Sequence, residues 1–137
     1  MSELSDLIQI HYDGINNNDL DKAMSVFSDD VETSTPMGST VGIEPFRAFG
    51  EAFAVAAPDG NLTATRIIES GNTIVVEGTF SGTQTGELAG PGMTVPPTGK
   101  SFSFTFADIL EARDGKFVTH HIYFDNAGFM AQLGLMG

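Results

Sequence analysis

SFSFTFADILEARDGKFVTHHIYFD, residues 101–125, alternates apolar and polar side chains on both sides of Arg113-Asp114-Gly115. Strict alternation is the mark of a strand with one buried face, and glycine can take the left-handed position of a three-residue hairpin. The segment therefore predicts two strands, Lys100 to Ala112 and Lys116 to Asp125, with Ala112 opposite Lys116. In that register Asp108 faces His120, Phe106 faces Ile122 and Phe104 faces Phe124. Directly opposed residues share a side. One face then carries Phe102, Phe104, Phe106, Asp108, Leu110, Val118, His120, Ile122 and Phe124; the other carries Ser101, Ser103, Thr105, Thr119, His121, Tyr123 and Asp125. A two-residue turn at Asp114-Gly115 would instead mix Tyr123, His121 and Asp125 with the phenylalanines, so segregation favours the three-residue loop.

Outward from the hairpin, Leu62 to Glu69 and Thr73 to Gln84 read as two further strands around Ser70-Gly71-Asn72, and residues 86–99 as a loop rich in Gly and Pro. Gly90-Pro91-Gly92 within it lacks the strand-turn-helix context of a phosphate loop. The N-terminal half is helical. Leu4, Leu7, Ile8, His11 and Ile15 recur at spacings of three and four, and Asn18 is placed to cap a second helix over Asp19 to Ser28. Val31, Thr33 and Thr35 alternate as a short strand ended by Pro36. Pro45 suits the first turn of a third helix from Ile43, with Phe46, Phe49 and Phe53 on one face, ending at Pro58-Asp59-Gly60. The tail from Gly128, with Phe129, Met130 and Leu133, is expected to cap the core. Helices then lie on one face of a largely antiparallel, curved sheet, an α+β fold.

The whole chain, residues 1–137, makes one domain: at 14.5 kDa a compact fold buries about two-thirds of the chain's surface. With 18 acidic and 6 basic side chains the formal charge is −12, which argues against nucleic acid or an anionic membrane as partner. The absence of cysteine excludes disulfides, thiolate nucleophiles and thiolate metal sites. No apolar run is long enough to span a bilayer and the acidic start lacks the basic flank of a secretion signal, so a cytoplasmic location is expected.

The chemistry concentrates in Asp108 and His120. A carboxylate on an apolar face must be paired, hydrogen-bonded or protonated, and an opposed imidazole meets that need. The pair can act as general acid and base in a pocket, or simply hold two strands in register. His11 sits on the apolar stripe of the first helix and can reach the same face. His120 and His121 point to opposite sides of a strand, which excludes their sharing one metal ion, and no metal or other cofactor is expected.

Several segments in order carry a family resemblance: Asn17-Asn18-Asp19-Leu20-Asp21 followed by Val26-Phe27-Ser28-Asp29-Asp30-Val31; Gly42 opening the Phe-rich helix; Gly78-Thr79-Phe80-Ser81-Gly82-Thr83-Gln84-Thr85-Gly86; Pro96-Pro97-Thr98-Gly99-Lys100; Ala107-Asp108-Ile109 with Asp114-Gly115-Lys116; and Tyr123-Phe124-Asp125 before Gln132-Leu133-Gly134. Together they resemble the SnoaL-like polyketide cyclases of the nuclear-transport-factor-two-like superfamily, which shares the ketosteroid isomerase fold. The resemblance implies a cone-shaped α+β barrel: a curved, mostly antiparallel sheet wrapped by about three helices around one apolar pocket. It also implies pairing of two copies through the outer sheet face, where Ile109, Tyr123 and threonines stand. The acid/base carboxylate of these cyclases aligns with Ile122, which transfers no proton. In ketosteroid isomerases the oxyanion-hole aspartate aligns with Asp108, the hole tyrosine with His11 and the base with Thr35.

Residues and resemblance together predict a small pocket enzyme performing cofactor-independent proton transfer, as cyclase, isomerase or dehydratase, on a hydrophobic carbonyl-bearing polyketide-like or polycyclic molecule. Asp108, His120 and His11 are its expected catalytic groups. Tyr12, Thr35, Phe46, Phe49, Phe53, Phe102, Phe104, Phe106, Ile122 and Phe124 are expected around the substrate. The alternative is a non-catalytic protein holding an apolar small molecule in the same cone. In either case the expected partners are that small molecule and a second copy of the chain.

Overall fold

The computed structural model describes residues 2–90 and 93–135, so Pro91 and Gly92, within the segment read as a loop rich in Gly and Pro, lie outside the described residues. Helix α1 (Glu3–Asn16) begins where Ser2 accepts a hydrogen bond from the Ser5 amide, and Glu3 and Asp6 suit the positive end of its dipole. It buries Ile8, His11, Tyr12 and Gly14. Asn18 takes the left-handed conformation (φ 56°), and the cap of α2 (Leu20–Met24) is Asp19, whose carboxylate accepts from the Lys22 amide. That corrects the expected Asn18 cap. The second helix is also shorter than its apolar spacing suggested. Ser25 turns back onto the Lys22 carbonyl, and the Phe117 amide captures the Val26 carbonyl, drawing the chain into the sheet as β1 (Phe27–Thr35).

A hairpin across Pro36-Met37 adds β2 (Gly38–Val41), which alternation alone does not reveal. Helix α3 (Ile43–Ala56) follows, with Pro45 in its first turn. The remaining chain is β3 (Asn61–Ser70), β4 (Thr73–Thr83), the short hairpin β5 (Leu88–Gly90) and β6 (Met93–Val95), β7 (Ser101–Arg113), β8 (Lys116–Phe124) and α4 (Asn126–Gln132). The main sheet has the order β2-β1-β8-β7-β4-β3, and β1 with β8 is its one parallel pair among the described residues. The fold is the expected α+β arrangement.

The decisive hairpin departs from its expected register. Asp114 (φ 53°) and Gly115 (φ 78°) form a two-residue turn with both residues left-handed, the geometry that Asp-Gly favours and that matches strand twist, so Arg113 pairs with Lys116. A bulge follows: Ala112 pairs with Phe117 and Glu111 with Thr119, leaving Val118 as the extra residue. Beyond it Leu110 faces His120, Asp108 faces Ile122 and Phe106 faces Phe124. Asp108 is therefore not directly opposite His120. The extra residue restores the parity of the strand, so the expected faces persist from Thr119 onward, while below the bulge Phe117 replaces Val118 in the core.

Two further packings shape the interior. The Asp125 side chain caps α4 at the Gly128 amide, and Phe129 seats against Phe53, Phe102 and Phe104, so the tail closes the core as expected. Gln84, fully buried, donates to the carbonyls of Gly86 and Pro96 and accepts from the Thr98 amide and hydroxyl, clasping residues 86–98.

Gly14 marks the closest approach of α1 and α2: a Cβ there would stand 2.4 Å from the Ala23 amide nitrogen. The backbone of Ala23 cannot yield as a flexible side chain would. Gly14→Ala is expected to cost about 1–3 kcal/mol by overpacking, only partly offset by alanine's helix propensity. Gly50→Ala in α3, whose Cβ would meet only ordinary contacts at 3.5 Å or more, is expected to leave stability unchanged or raised. Thermal melting of the two variants checks the contrast.

Candidate active site

Inside the cone, between α1, α2, α3 and the inner face of β4, β7 and β8, lies a cavity of about 110 Å³. Its wall is aromatic and aliphatic: Phe46, Phe49 and Phe53 from α3, Phe80 from β4, Phe104 and Phe106 from β7, Ile122 and Phe124 from β8. Side-chain polarity enters at few places, chiefly His11, Tyr12, Asp108 and His120, all at most 5% exposed. Asn18, also at the wall, spends its amide on the Pro58 carbonyl.

Asp108 is the centre of this cluster. The Tyr12 hydroxyl donates to its Oδ2 at 2.6 Å, and His120 Nε2 stands 3.2 Å from its Oδ1. The second contact is an ion-pair distance without hydrogen-bond alignment, for neither ring nitrogen of His120 has an aligned partner. The ring is instead held by packing, stacked on Phe27 with Phe46 and His11 edge-on. Tyr12 lies one turn beyond Ile8 on the buried stripe of α1, so helical spacing brings its hydroxyl to β7 across 96 residues of sequence.

His11 is fixed differently. Its Nδ1 lies 2.8 Å from the Ala23 carbonyl, which can only accept, so the proton is on Nδ1 and Nε2 carries the lone pair. Burial, reinforced by the neighbouring His120, lowers its pKa to about 4, against the smaller opposing pull of the Ala23 carbonyl and Asp108. Tyr12 moves the other way: burial first, then the Asp108 carboxylate, pushes its phenol well above the ordinary value. The site thus combines a neutral imidazole, a phenol that keeps its proton and a closely placed Asp108–His120 pair in apolar surroundings. Such a set can accept a proton, return it and donate to a developing oxyanion.

Of the residues singled out from sequence, eleven meet at this cavity: Asp108, His120, His11, Tyr12, Phe46, Phe49, Phe53, Phe104, Phe106, Ile122 and Phe124. Phe102 does not; it lies behind the wall, packed on Phe80, Phe104 and Phe129. Thr35 is also elsewhere, in a separate hollow with Glu77, Tyr123 and Asp125. The residue whose hydroxyl meets Asp108 is Tyr12, one position beyond the alignment of the isomerase tyrosine with His11. Phe80 and Met24 join the wall without having been singled out; for Phe80 the signal was its shared parity with the buried Ile74 and Val76. His121 points away from His120 and stacks near Tyr123, and among the described residues no group of three His, Cys, Asp or Glu side chains could hold a metal ion. No helix of the described residues is long and apolar enough to cross a membrane.

The family model for SnoaL-like polyketide cyclases matches residues 5–133. Among solved structures, TsrD from Streptomyces laurentii is 28% identical, with 98% of this chain and 96% of that one covered and a TM-score of 0.84. IdmH from Streptomyces antibioticus, described as a candidate polyketide cyclase, is 26% identical over 95% of this chain and 97% of its own, with a TM-score of 0.78. AclR from Streptomyces galilaeus, described as a candidate hydroxylase, is 23% identical over 100% of this chain and 88% of its own (TM-score 0.84), a likeness of fold. No curated protein matches the chain significantly.

The lowered pKa of His11 has a stability consequence. In the unfolded chain the ring takes a proton near pH 6.5, whereas in the folded chain it stays neutral down to about 4. Between those values the unfolded state binds the extra proton, so stability falls as pH drops from about 6.5 towards about 4. This group alone is expected to remove about 2 kcal/mol between pH 7 and pH 4.5. Urea unfolding at the two pH values, with His11→Gln as the variant that loses this share of the dependence, and an NMR titration of the ring check it.

Proposed function

The chain belongs to the SnoaL-like polyketide cyclase family, and on that premise we propose that it is a pocket enzyme that moves a proton, without a cofactor, on an apolar carbonyl-bearing molecule of polyketide-like or polycyclic type. The observation that carries the reading is Asp108, held by Tyr12 and beside His120, in the wall of an otherwise aromatic cavity. The register adds support. The carboxylate of these cyclases aligns with Ile122 on β8, and Asp108 on β7 is the direct cross-strand partner of Ile122. Directly opposed side chains lie about 4.5–5.5 Å apart at Cβ, so a carboxylate is supplied to the same part of the cone from the neighbouring strand.

In the proposed step a C–H bond next to the substrate carbonyl breaks. Its proton passes to the Asp108–His120 pair and its electron pair moves onto the carbonyl oxygen, giving an enolate. Tyr12, which keeps its own proton, and the newly protonated pair stabilise that oxygen. Return of the proton to another carbon gives isomerisation; attack of the enolate carbon on a second carbonyl, with the proton delivered to the new alkoxide, gives ring closure; loss of a β-hydroxyl as water, with that proton, gives dehydration. All three share the first step and need no oxidant or reductant. The proposed partners are the small-molecule substrate and a second copy of the chain across the outer sheet face, where Tyr123 is exposed.

The shared step is testable without the natural substrate. With 2-tetralone in deuterated buffer, the protein is expected to accelerate exchange of the α-hydrogens. Asp108→Asn and His120→Ala are each expected to lower that acceleration by about 10²–10⁴-fold, with binding of an apolar fluorescent dye retained. Dye binding without any acceleration of exchange would leave a binding protein, and acceleration unchanged by either substitution would remove Asp108 and His120 from the step.

A further inference from the structure

Strand β1 contributes a residue to this cluster that the proposed chemistry does not use. Val31 and Thr33 point inward, fully buried or nearly so, while Glu32 between them is exposed. Thr33 is the parallel cross-strand partner of His120, which sets the two side by side on the inner face. Adjacent strands run about 4.8 Å apart, so a threonine hydroxyl and the edge of an imidazole in paired positions come within reach by rotation of the threonine side chain. Thr33 is 3% and His120 1% exposed, and the Thr33 hydroxyl and both His120 ring nitrogens have no aligned hydrogen-bond partner. Unpaired polar groups deep in a protein are rare, and three such atoms on one cross-strand pair are rarer still.

The chemistry of the ring says how they combine. Asp108 Oδ1 is an acceptor 3.2 Å from Nε2, so a neutral ring that bonds it must carry its proton on Nε2. Nδ1 then holds the lone pair and needs a donor. The other titratable groups facing this ring are His11 and Tyr12 of α1. The His11 proton is spent on the Ala23 carbonyl and the Tyr12 proton on Asp108. Among the described residues, Thr33 is the unpartnered hydroxyl that the strand register sets opposite the ring.

We propose that Thr33 is the positioning residue for His120: its hydroxyl donates to Nδ1 of the neutral ring, holding Nε2–H towards Asp108, and turns to accept from Nδ1–H when the ring is protonated. A hydroxyl can serve both protonation states because it is donor and acceptor at once; a methyl of the same size serves neither. Thr33 therefore suits one ring orientation in either protonation state of the imidazole. The inference deepens the reading of Asp108 and His120 as the proton-handling pair, but its test concerns the ring alone and needs no substrate.

The experiment is ¹⁵N–¹H correlation of the histidine rings in the whole chain, with His11→Gln and His121→Gln used to assign His120. In the unsubstituted protein His120 is expected as the Nε2–H tautomer, with a slowly exchanging Nε2–H and an Nδ1 shift displaced by an accepted hydrogen bond. Thr33→Val is expected to lose that displacement and to speed exchange of Nε2–H about tenfold or more; Thr33→Ser is expected to retain both features. An Nδ1–H tautomer in the unsubstituted protein would overturn the proposal even if Thr33→Val did not fold. So would a Thr33→Val spectrum identical to the unsubstituted one. Failure here with catalysed exchange of 2-tetralone intact would remove Thr33 alone, whereas loss of exchange activity from the unsubstituted protein would not alter the ring spectra.

Discussion

A carboxylate among phenylalanines is the constraint on which the rest of the interior depends. Asp108 sits at the middle of a strand whose inward neighbours are Phe106 and Leu110, and at 4% exposure it cannot rely on water. Leaving such a group without partners costs several kcal/mol, so the fold must bring polar partners to it. One comes from α1, near the start of the chain, and the other from the final strand. The cone is therefore closed at this end by polar contacts between elements distant in sequence. They act where apolar packing, being non-directional, would leave the placement of α1 on the sheet less defined.

The same cluster separates two kinds of acidity. Most of the 18 acidic residues lie on the surface and keep the net charge strongly negative, which favours solubility and repels polyanions. Asp108 is buried in the cone, and its neighbours are opposed in character: His11 is driven neutral by burial, while Tyr12 is driven to keep its proton. Groups whose environments push their titrations apart are what proton-transfer sites use, and the aromatic wall supplies the low-dielectric surroundings in which their interactions are strong.

Much of this was legible in the sequence because periodicity is local. The alternation of β7 and β8 placed Asp108 and His120 on one face, and the stripe of α1 placed His11 on the buried side. The reason for the first result was partly mistaken: the turn has two residues and not three, and only the bulge at Val118 returns the strand to the expected parity. A bulge leaves no periodic signal in one sequence. The overlong second helix has a similar cause, since Val26 and Phe27 fit a helical stripe and a strand equally well until the Phe117 amide takes the Val26 carbonyl. What stayed hidden was non-local. Thr33 alternates correctly with Val31, yet only the parallel pairing of β1 with β8 shows that it stands beside His120. Thr35 and Phe102 share the parity of site residues but do not line the cavity, Thr35 lying in a separate hollow and Phe102 behind the wall, a placement that parity cannot report.

If Asp108 is the keystone, it must be energetically coupled to Tyr12 and not merely near it. A double-mutant cycle of Tyr12→Phe and Asp108→Asn, read by urea unfolding at pH 7, measures that coupling directly. The account predicts an interaction energy of about 1–3 kcal/mol, because either substitution alone spoils a bond that the other then no longer misses. Additivity to within about 0.3 kcal/mol would contradict it.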